Sequence, residues 1–163
     1  MGENRNGGER VLPSSIVETL KTFSEGETIS LAREFARRLV AGDVVALYGE
    51  LGAGKTQFVK GVCLGLGLVE VVTSPSFIIM NEYKYARNGG ESLSVYHFDF
   101  YRIKSISEVY DLGIEEYFYG KGICLIEWAD AARPLLPPSR YDIILNILSG
   151  GNEREIRIEQ LGS

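Results

Sequence analysis

Several residue types and patterns are scarce in this chain, and each scarcity excludes a class of function. Its 163 residues include two cysteines, Cys63 and Cys124, which lie in apolar segments without metal-ligand spacing, so we expect small buried residues. Lys and Arg number 17 against 22 Asp and Glu, and the net charge of −5 leaves no general basic surface for nucleic acid. No apolar run approaches the roughly 18 residues of a membrane span.

Length and composition predict a single domain. With 45% hydrophobic and 24% charged residues, the chain can bury a sizeable core. Its first ten residues are polar and contain no signal-peptide core. We therefore expect a disordered tail over residues 1–13, one domain over residues 14–163, and a cytoplasmic protein with no membrane attachment.

The chain does contain a complete phosphate-binding loop of the pattern G-x-x-x-x-G-K-T. Glycines, which lack a Cβ, let backbone amides converge on an anion, while the lysine supplies charge for the phosphates and the threonine a hydroxyl for Mg²⁺. The pattern predicts binding of a nucleoside triphosphate with Mg²⁺. The predicted nucleotide-binding residues are Gly49, Glu50, Leu51, Gly52, Ala53, Gly54, Lys55 and Thr56.

The segments on either side of this loop have the patterns that a genuine phosphate site requires. Residues 44–48 are a continuous apolar run, typical of a strand buried on both faces. After the loop, apolar residues recur at three- and four-residue spacing, which predicts a helix. The order strand, loop, helix favours a phosphate site over a glycine-rich turn.

Apolar patterns predict the remaining elements. Ser24 and Glu27 have capping-box spacing, and the apolar stripe that follows predicts a helix to about residue 42. Three prolines between residues 134 and 138 argue against regular structure until about residue 141. Strands are predicted over residues 16–23, 44–48, 77–83, 93–98, 123–126, 143–145 and 155–158, and short helices over residues 105–110 and 113–119. The predicted fold is α/β: a three-layer α/β/α P-loop NTPase-like domain with a largely parallel central sheet plus antiparallel hairpins.

Two acids follow apolar runs and are candidates for the chemistry. Asp99 and Glu127 each end a predicted strand, and the carboxyl ends of parallel strands lie at the edge where a phosphate loop opens. Acids at strand ends also occur as solvated loop residues. We predict that both are catalytic together with Lys55, and that both bind Mg²⁺ together with Thr56.

Other polar residues allow two interpretations each. His97 lies two residues before Asp99, on the same side of the strand, so it is either a metal ligand or a hydrogen-bonded structural histidine. The preference of Mg²⁺ for oxygen favours the second. Arg102 and Arg133 either stabilise γ-phosphate charge or form surface salt bridges.

The hydroxyl-rich segment of Thr73, Ser74 and Ser76 either senses the γ-phosphate as a switch or is an ordinary turn. Trp128, beside Glu127, either packs near the nucleotide or fills the core. We include His97, Arg102 and Trp128 with the hydroxyl segment as switch candidates. No N-K-x-D guanine-reading motif occurs, which favours ATP over GTP.

Five motifs occur in the order of the small bacterial ATPase family TsaE, also called YjeE, and the chain resembles that family over about residues 16–160. One position departs from the family pattern, because Ser76 stands where threonine is usual, and the hydroxyl is kept. The motifs are residues 49–56, 73–77 (T-S-P-S-F), 97–102 (H-F-D-F-Y-R), 112–117 (L-G-I-E-E-Y) and 125–128 (L-I-E-W).

The resemblance implies a role in threonylcarbamoyladenosine modification of tRNAs that read codons beginning with A. It implies an ATPase that supports turnover of two partners, TsaB and TsaD, with indirect contact to tRNA. It also implies that Lys55 and Thr56 bind phosphate and Mg²⁺, that residues 74–77 act as a switch, and that Asp99 and Glu127 act at the Mg²⁺ and the attacking water.

Two other functions remain open at this point. A small-molecule kinase shares the loop, the metal and the size, although no arginine-bearing lid is evident in the sequence. A nucleotide-dependent binding switch without significant hydrolysis is the second alternative.

Overall fold

Seven strands and four α-helices make up the part of the chain that the computed structural model describes, which is residues 15–68, 72–75, 79–86 and 90–162. The strands are β1 (Ile16–Thr22), β2 (Val44–Tyr48), β3 (Met80–Ala86), β4 (Ser92–Asp99), β5 (Ile123–Glu127), β6 (Arg140–Ile147) and β7 (Arg154–Leu161). The helices are α1 (Glu25–Phe35), α2 (Lys55–Gly65), α3 (Ile106–Asp111) and α4 (Ile114–Phe118), with 3₁₀ helices at Ala36–Arg38 and Ala129–Leu135.

All seven strands belong to one sheet, in the order β1-β7-β6-β2-β5-β4-β3. The four central strands, β6, β2, β5 and β4, pair in parallel, and β7 with β1 on one side and β3 on the other pair antiparallel. Both β2 and β5 are buried at every position, as their continuous apolar runs predict. The predicted parallel centre with antiparallel hairpins is therefore confirmed.

Helices cover both faces of this sheet. Alternate residues of β2 point to opposite faces, so Val45 and Leu47 join a cluster with the α2 residue Phe58, on the face covered by α1 and α2. Val44 and Ala46 join a second cluster with residues of α3, α4 and the second 3₁₀ helix. The predicted three-layer α/β/α architecture is thus confirmed.

The start of α1 is as predicted, but its end is not. Ser24 Oγ accepts a hydrogen bond from the backbone N–H of Glu27 at 3.1 Å, which is the N-terminal half of a capping box. The helix does not continue to residue 42, because Leu39 is extended and buried and the carboxylate of Asp43 accepts a hydrogen bond from the N–H of Val40. The burial of Leu39 and this local hydrogen bond override the helical pattern.

Other boundaries also differ from the prediction. A 3₁₀ helix, Ala129–Leu135, extends into the proline-rich segment and contains Pro134, so the expectation of irregular structure was wrong at residues 134 and 135. A short 3₁₀ turn tolerates proline because few of its N–H groups need partners. The strand predicted over residues 77–83 begins at Met80, and residues 76–78 lie outside the described residues.

Both cysteines are buried and free, as expected. Burial raises the pKa of each thiol to about 12, so neither is a thiolate at neutral pH. Among the helices of the described ranges, none combines the length and the apolar composition needed to cross a membrane.

Close contact between α1 and α2 depends on glycines in α2. A Cβ added at Gly61 would lie 2.6 Å from the Cβ of Ala32 and closer still to the carbonyl oxygen of Ile29. A Cβ at Gly65 would lie 2.6 Å from the Cβ of Ala36. Since α1 and α2 both begin beside the phosphate loop, this packing determines where their N-termini lie.

We expect Gly61→Ala to lower the free energy of unfolding by about 1–3 kcal/mol, because the added methyl group overpacks the α1–α2 contact. Gly26→Ala is the matched control: Gly26 lies in α1, and a Cβ added there would meet only Ser24 Oγ, at 3.8 Å. That change should leave stability equal or raise it by up to about 1 kcal/mol, through helix propensity. Urea unfolding measures both, and equal effects of the two substitutions would contradict the packing argument.

Candidate functional site

The phosphate loop connects the end of β2 to the start of α2. Three of its glycines have positive φ values, 151° at Gly49, 83° at Gly52 and 105° at Gly54. Gly49 is also required sterically, since a Cβ there would lie 2.6 Å from the carbonyl oxygen of Leu145. The loop ends at the N-terminus of an 11-residue helix, whose free N–H groups and dipole favour an anion.

A cleft of about 270 Å³ opens at this loop. It brings together residues from four parts of the chain: the loop with the first turn of α2, the start of α1, the segment at Ser74, and the ends of β4 and β5. The residues that line it are Glu25, Leu51, Gly52, Gly54, Lys55, Thr56, Gln57, Ser74, Asp99, Tyr101, Glu127 and Trp128.

Glu127 is the most buried acid of the cleft, with 2% of its surface exposed. Its Oε1 accepts a hydrogen bond from Thr56 Oγ1 at 2.7 Å, and its Oε2 lies 2.6 Å from Nε2 of His97. Thr56 Oγ1 is also 3.0 Å from Ser74 Oγ. The predicted metal-binding hydroxyl and one predicted acid are therefore in direct contact.

Asp99 lies opposite Glu127 in the parallel pairing of β4 and β5. Burial raises the pKa of Asp99, and the negative charge of Glu127 raises it further. A hydrogen bond from the N–H of Tyr101 to Oδ1, at 3.0 Å, works in the other direction. The two strand-end acids thus share one edge of the sheet and one cleft.

The Lys55 ammonium is turned back onto the protein. Its Nζ donates hydrogen bonds to the carbonyl oxygens of Gly49 and, at 3.0 Å, Glu50. It also lies 3.8 Å from the centroid of the Trp128 ring, a cation–π contact. Burial lowers the pKa of Lys55, while the nearby acids Glu127 and Asp99 oppose that shift.

Trp128 is held in an unusual backbone conformation. Its φ of 56° is the only positive value at a non-glycine residue in the described part of the chain. The ring packs against Tyr101, with centroids 4.9 Å apart, and both residues line the cleft. Trp128 also packs against the buried cluster on the α3 and α4 face of the sheet, so its position fits both interpretations.

Four of the other candidates lie outside the cleft. His97 is fully buried, and its hydrogen bond with Glu127 connects it to the cleft. Arg102 is exposed, and Arg133 pairs with Asp130 at 3.2 Å while its guanidinium lies 4.9 Å from the Tyr48 ring centroid. Thr73 is exposed, although its carbonyl oxygen accepts a hydrogen bond from the Asn81 side chain. Ser76 lies outside the described residues.

Arg154 is a residue of the loop environment that the sequence did not indicate. From β7 it donates hydrogen bonds to the carbonyl oxygens of Gly52 and Ala53, both at 3.1 Å. In a trans peptide the carbonyl oxygen of one residue and the N–H of the following residue point in opposite directions. Because the carbonyl oxygen of Ala53 points towards Arg154, the N–H of Gly54 points away from it. Nothing marks this arginine in the sequence, because it is one of four charged residues in β7.

We expect Arg154→Ala to loosen the phosphate loop. Loss of hydrogen bonds from a charged donor should speed hydrogen exchange of the residue 50–54 amides by about tenfold or more, equivalent to about 1.4 kcal/mol of local stability. Arg157→Ala is the matched control, since Arg157 is half exposed on the same strand and, among the described residues, forms an ion pair only with Glu159. Equal hydrogen-exchange rates of these amides in the two variants would contradict the inference that Arg154 stabilises the loop.

Known proteins resemble this chain in sequence and in structure. The family described as Threonylcarbamoyl adenosine biosynthesis protein TsaE matches residues 22–156. A relative from Bacillus subtilis (strain 168), the tRNA threonylcarbamoyladenosine biosynthesis protein TsaE, is 43% identical over 143 residues, 88% of this chain and 85% of the relative. The protein of the same name from Treponema pallidum (strain Nichols) is 44% identical over 122 residues, 75% of this chain and 85% of the relative.

The fold comparison agrees with the sequence comparisons. The crystal structure of Bacillus subtilis YdiB superposes with a TM-score of 0.74 at 38% identity, covering 91% of this chain and 88% of that one. A family match over most of the chain, relatives above 40% identity and a shared P-loop NTPase-like fold all lead to one assignment. This chain belongs to the TsaE family.

Proposed function

We propose that this protein is an Mg²⁺-dependent ATPase that hydrolyses ATP to ADP and phosphate. The contact of Thr56 Oγ1 with Glu127 Oε1, at 2.7 Å beside the phosphate loop, carries the proposal. It places a hydroxyl and a carboxylate oxygen together at the N-terminus of a helix that favours phosphate. Such a pair is what a P-loop NTPase uses to hold the metal of its nucleotide complex.

The donor atoms fit Mg²⁺. Thr56, Glu127 and Asp99 offer oxygen ligands, and no group of three His, Cys, Asp or Glu residues forms a complete metal site among the residues described. Mg²⁺ suits such a partial set, since it binds through one or two carboxylates plus substrate phosphates and keeps several waters. When bound, the ion would neutralise charge on the phosphates.

The chain's own residues then have distinct tasks. Lys55 exchanges its contacts with Gly49, Glu50 and the Trp128 ring for phosphate oxygens, which satisfy the same ammonium donors. Backbone amides of the loop and of the first turn of α2 bind the remaining phosphate oxygens. Asp99, whose pKa burial raises, orients the attacking water and accepts its proton.

We further propose that this ATPase serves threonylcarbamoyladenosine modification of tRNA that reads codons beginning with A. The names of the TsaE relatives support the pathway, and the resemblance of the five motifs supports TsaB and TsaD as partners. The proposed task is to support turnover of the TsaB–TsaD complex, with tRNA contacted indirectly. Slow hydrolysis by the isolated chain and stimulation by the partners would follow from such a task.

ATP turnover by the chain alone, and then with TsaB, TsaD and tRNA, tests this function. We expect Lys55→Ala, Glu127→Ala and Asp99→Ala each to lower turnover by about tenfold or more, equivalent to about 1.4 kcal/mol of transition-state stabilisation. Asp130→Ala is the matched control, because Asp130 is an exposed acid near β5 that pairs with Arg133 and does not line the cleft.

Three results would contradict the proposal. Normal turnover in Glu127→Ala or Asp99→Ala would remove that acid from the site. Absence of hydrolysis with all partners present, despite ATP binding, would favour a passive switch. Intact modified nucleoside in the tRNA of a deletion strain, measured by mass spectrometry, would refute the pathway.

Nucleotide binding should change the fluorescence of Trp128, the only tryptophan. Movement of the Lys55 ammonium from the indole face to phosphate removes a cation–π contact, so the emission of the free protein should change on addition of ATP and Mg²⁺. Lys55→Met should alter the Trp128 emission of the free protein and reduce its change on addition of ATP and Mg²⁺. Lys60→Met, on the same helix, should behave like the unmodified protein. An identical response in all three proteins would contradict the exchange.

A further inference from the structure

The only histidine of the chain adjoins the Glu127 carboxylate. His97 is completely buried, and its Nε2 lies 2.6 Å from Glu127 Oε2. The imidazole does not line the cleft, and within the described residues its hydrogen bond to a cleft residue is the one with Glu127. Burying two polar side chains is costly unless they hydrogen-bond to each other, which makes this contact a requirement of the fold at that point.

The surroundings of the ring assign its proton. Among the described residues, Nδ1 is buried and has no hydrogen-bond partner. A buried N–H without an acceptor is rarer and costlier than an acceptor without a donor, so Nδ1 carries the lone pair and Nε2 carries the proton. Nε2 is then the donor to Oε2 of Glu127, and the imidazole has no other hydrogen bond within the described ranges.

The two oxygens of Glu127 therefore have separate partners. Oε2 accepts from the buried imidazole, and Oε1 accepts from Thr56 Oγ1 at 2.7 Å. Two hydrogen bonds on opposite oxygens fix the rotation of the carboxylate plane. The oxygen that faces the phosphate loop is consequently in place before any ligand arrives, with no side-chain entropy left to lose.

We propose that His97 is a positioning residue, whose Nε2–H holds Oε2 of Glu127 so that Oε1 faces Thr56 and the cation of the nucleotide complex. This rests on the proposed function. The residues that orient a metal-binding carboxylate are typically worth 10- to 100-fold in metal affinity or activity. A histidine that only fills space would not affect the Mg²⁺ requirement.

Two substitutions separate these roles. His97→Leu keeps a side chain of apolar bulk and removes the donor, whereas His97→Gln keeps an N–H donor. We expect His97→Leu to raise the Mg²⁺ concentration for half-maximal ATP hydrolysis by about tenfold or more. It should leave ADP affinity in EDTA unchanged and lower ADP affinity in Mg²⁺. His97→Gln should bring the Mg²⁺ requirement and the ADP affinity in Mg²⁺ most of the way back to the values of the unmodified protein.

Two outcomes of the His97→Leu measurements would overturn the proposal. One is an Mg²⁺ requirement in His97→Leu equal to that of the unmodified protein. The other is equal loss of ADP affinity with and without Mg²⁺, which would indicate general disruption of the site. In a Glu127→Gln background, a further His97→Leu change should add little to the loss of Mg²⁺-dependent ADP affinity, because both substitutions remove the same interaction. Full additivity would also contradict the proposal.

The unmodified protein provides a test that needs neither turnover nor a folded variant. Since the chain has one histidine, its ring nitrogens can be assigned in a ¹⁵N NMR spectrum without ambiguity. The Nε2–H tautomer supports the proposal, and the Nδ1–H tautomer overturns it because Nε2 would have no proton to donate. Absence of ATP hydrolysis in the presence of the partners would contradict the proposed ATPase function. The tautomer and the Mg²⁺ dependence of ADP affinity would still decide the role of His97.

Discussion

The parallel pairing of β2, β5 and β4 is the constraint on which the site depends. In this register Glu127 lies opposite Leu47 of β2 and opposite Asp99 of β4, so both acids reach the sheet edge from which the phosphate loop begins. A slip of one residue would turn each side chain to the other face of the sheet and separate the acids from the loop. Burial of both faces of β2 and β5 is what makes such a slip costly.

A chain of polar contacts builds on that register and links four segments of the protein. It runs from His97 on β4, through Glu127 on β5 and Thr56 on α2, to Ser74. One end is completely buried and the other lines the cleft, so the buried end can hold the orientation that the open end presents to a ligand. The Lys55 ammonium, by contrast, is held by two carbonyl groups and a ring, contacts that the proposed function exchanges for phosphate oxygens.

Sequence patterns predicted the features of this arrangement that depend on residues close together in the chain. The phosphate loop, its flanking strand and helix, and the acids at the ends of β4 and β5 follow from apolar runs, glycine positions and the shared edge of parallel strands. The strand order, the place of Arg154, the pairing of His97 with Glu127 and the close contact of Gly61 with α1 depend on segments far apart in the chain. Sequence patterns carry no direct record of such side-chain contacts. The end of α1 differs from the prediction for another reason: Leu39 is extended and buried, and Asp43 binds the N–H of Val40.

The hold of Arg154 on the phosphate loop has a consequence for the timing of biosynthesis. The residues that bond in this contact are separated by 101 and 102 positions, and a ribosome adds about 5–20 residues each second. For several seconds after the loop has been translated, the nascent chain lacks the strand that holds two of its carbonyl groups. The loop therefore reaches its final form only after β7 has been translated and has paired with β6 and β1.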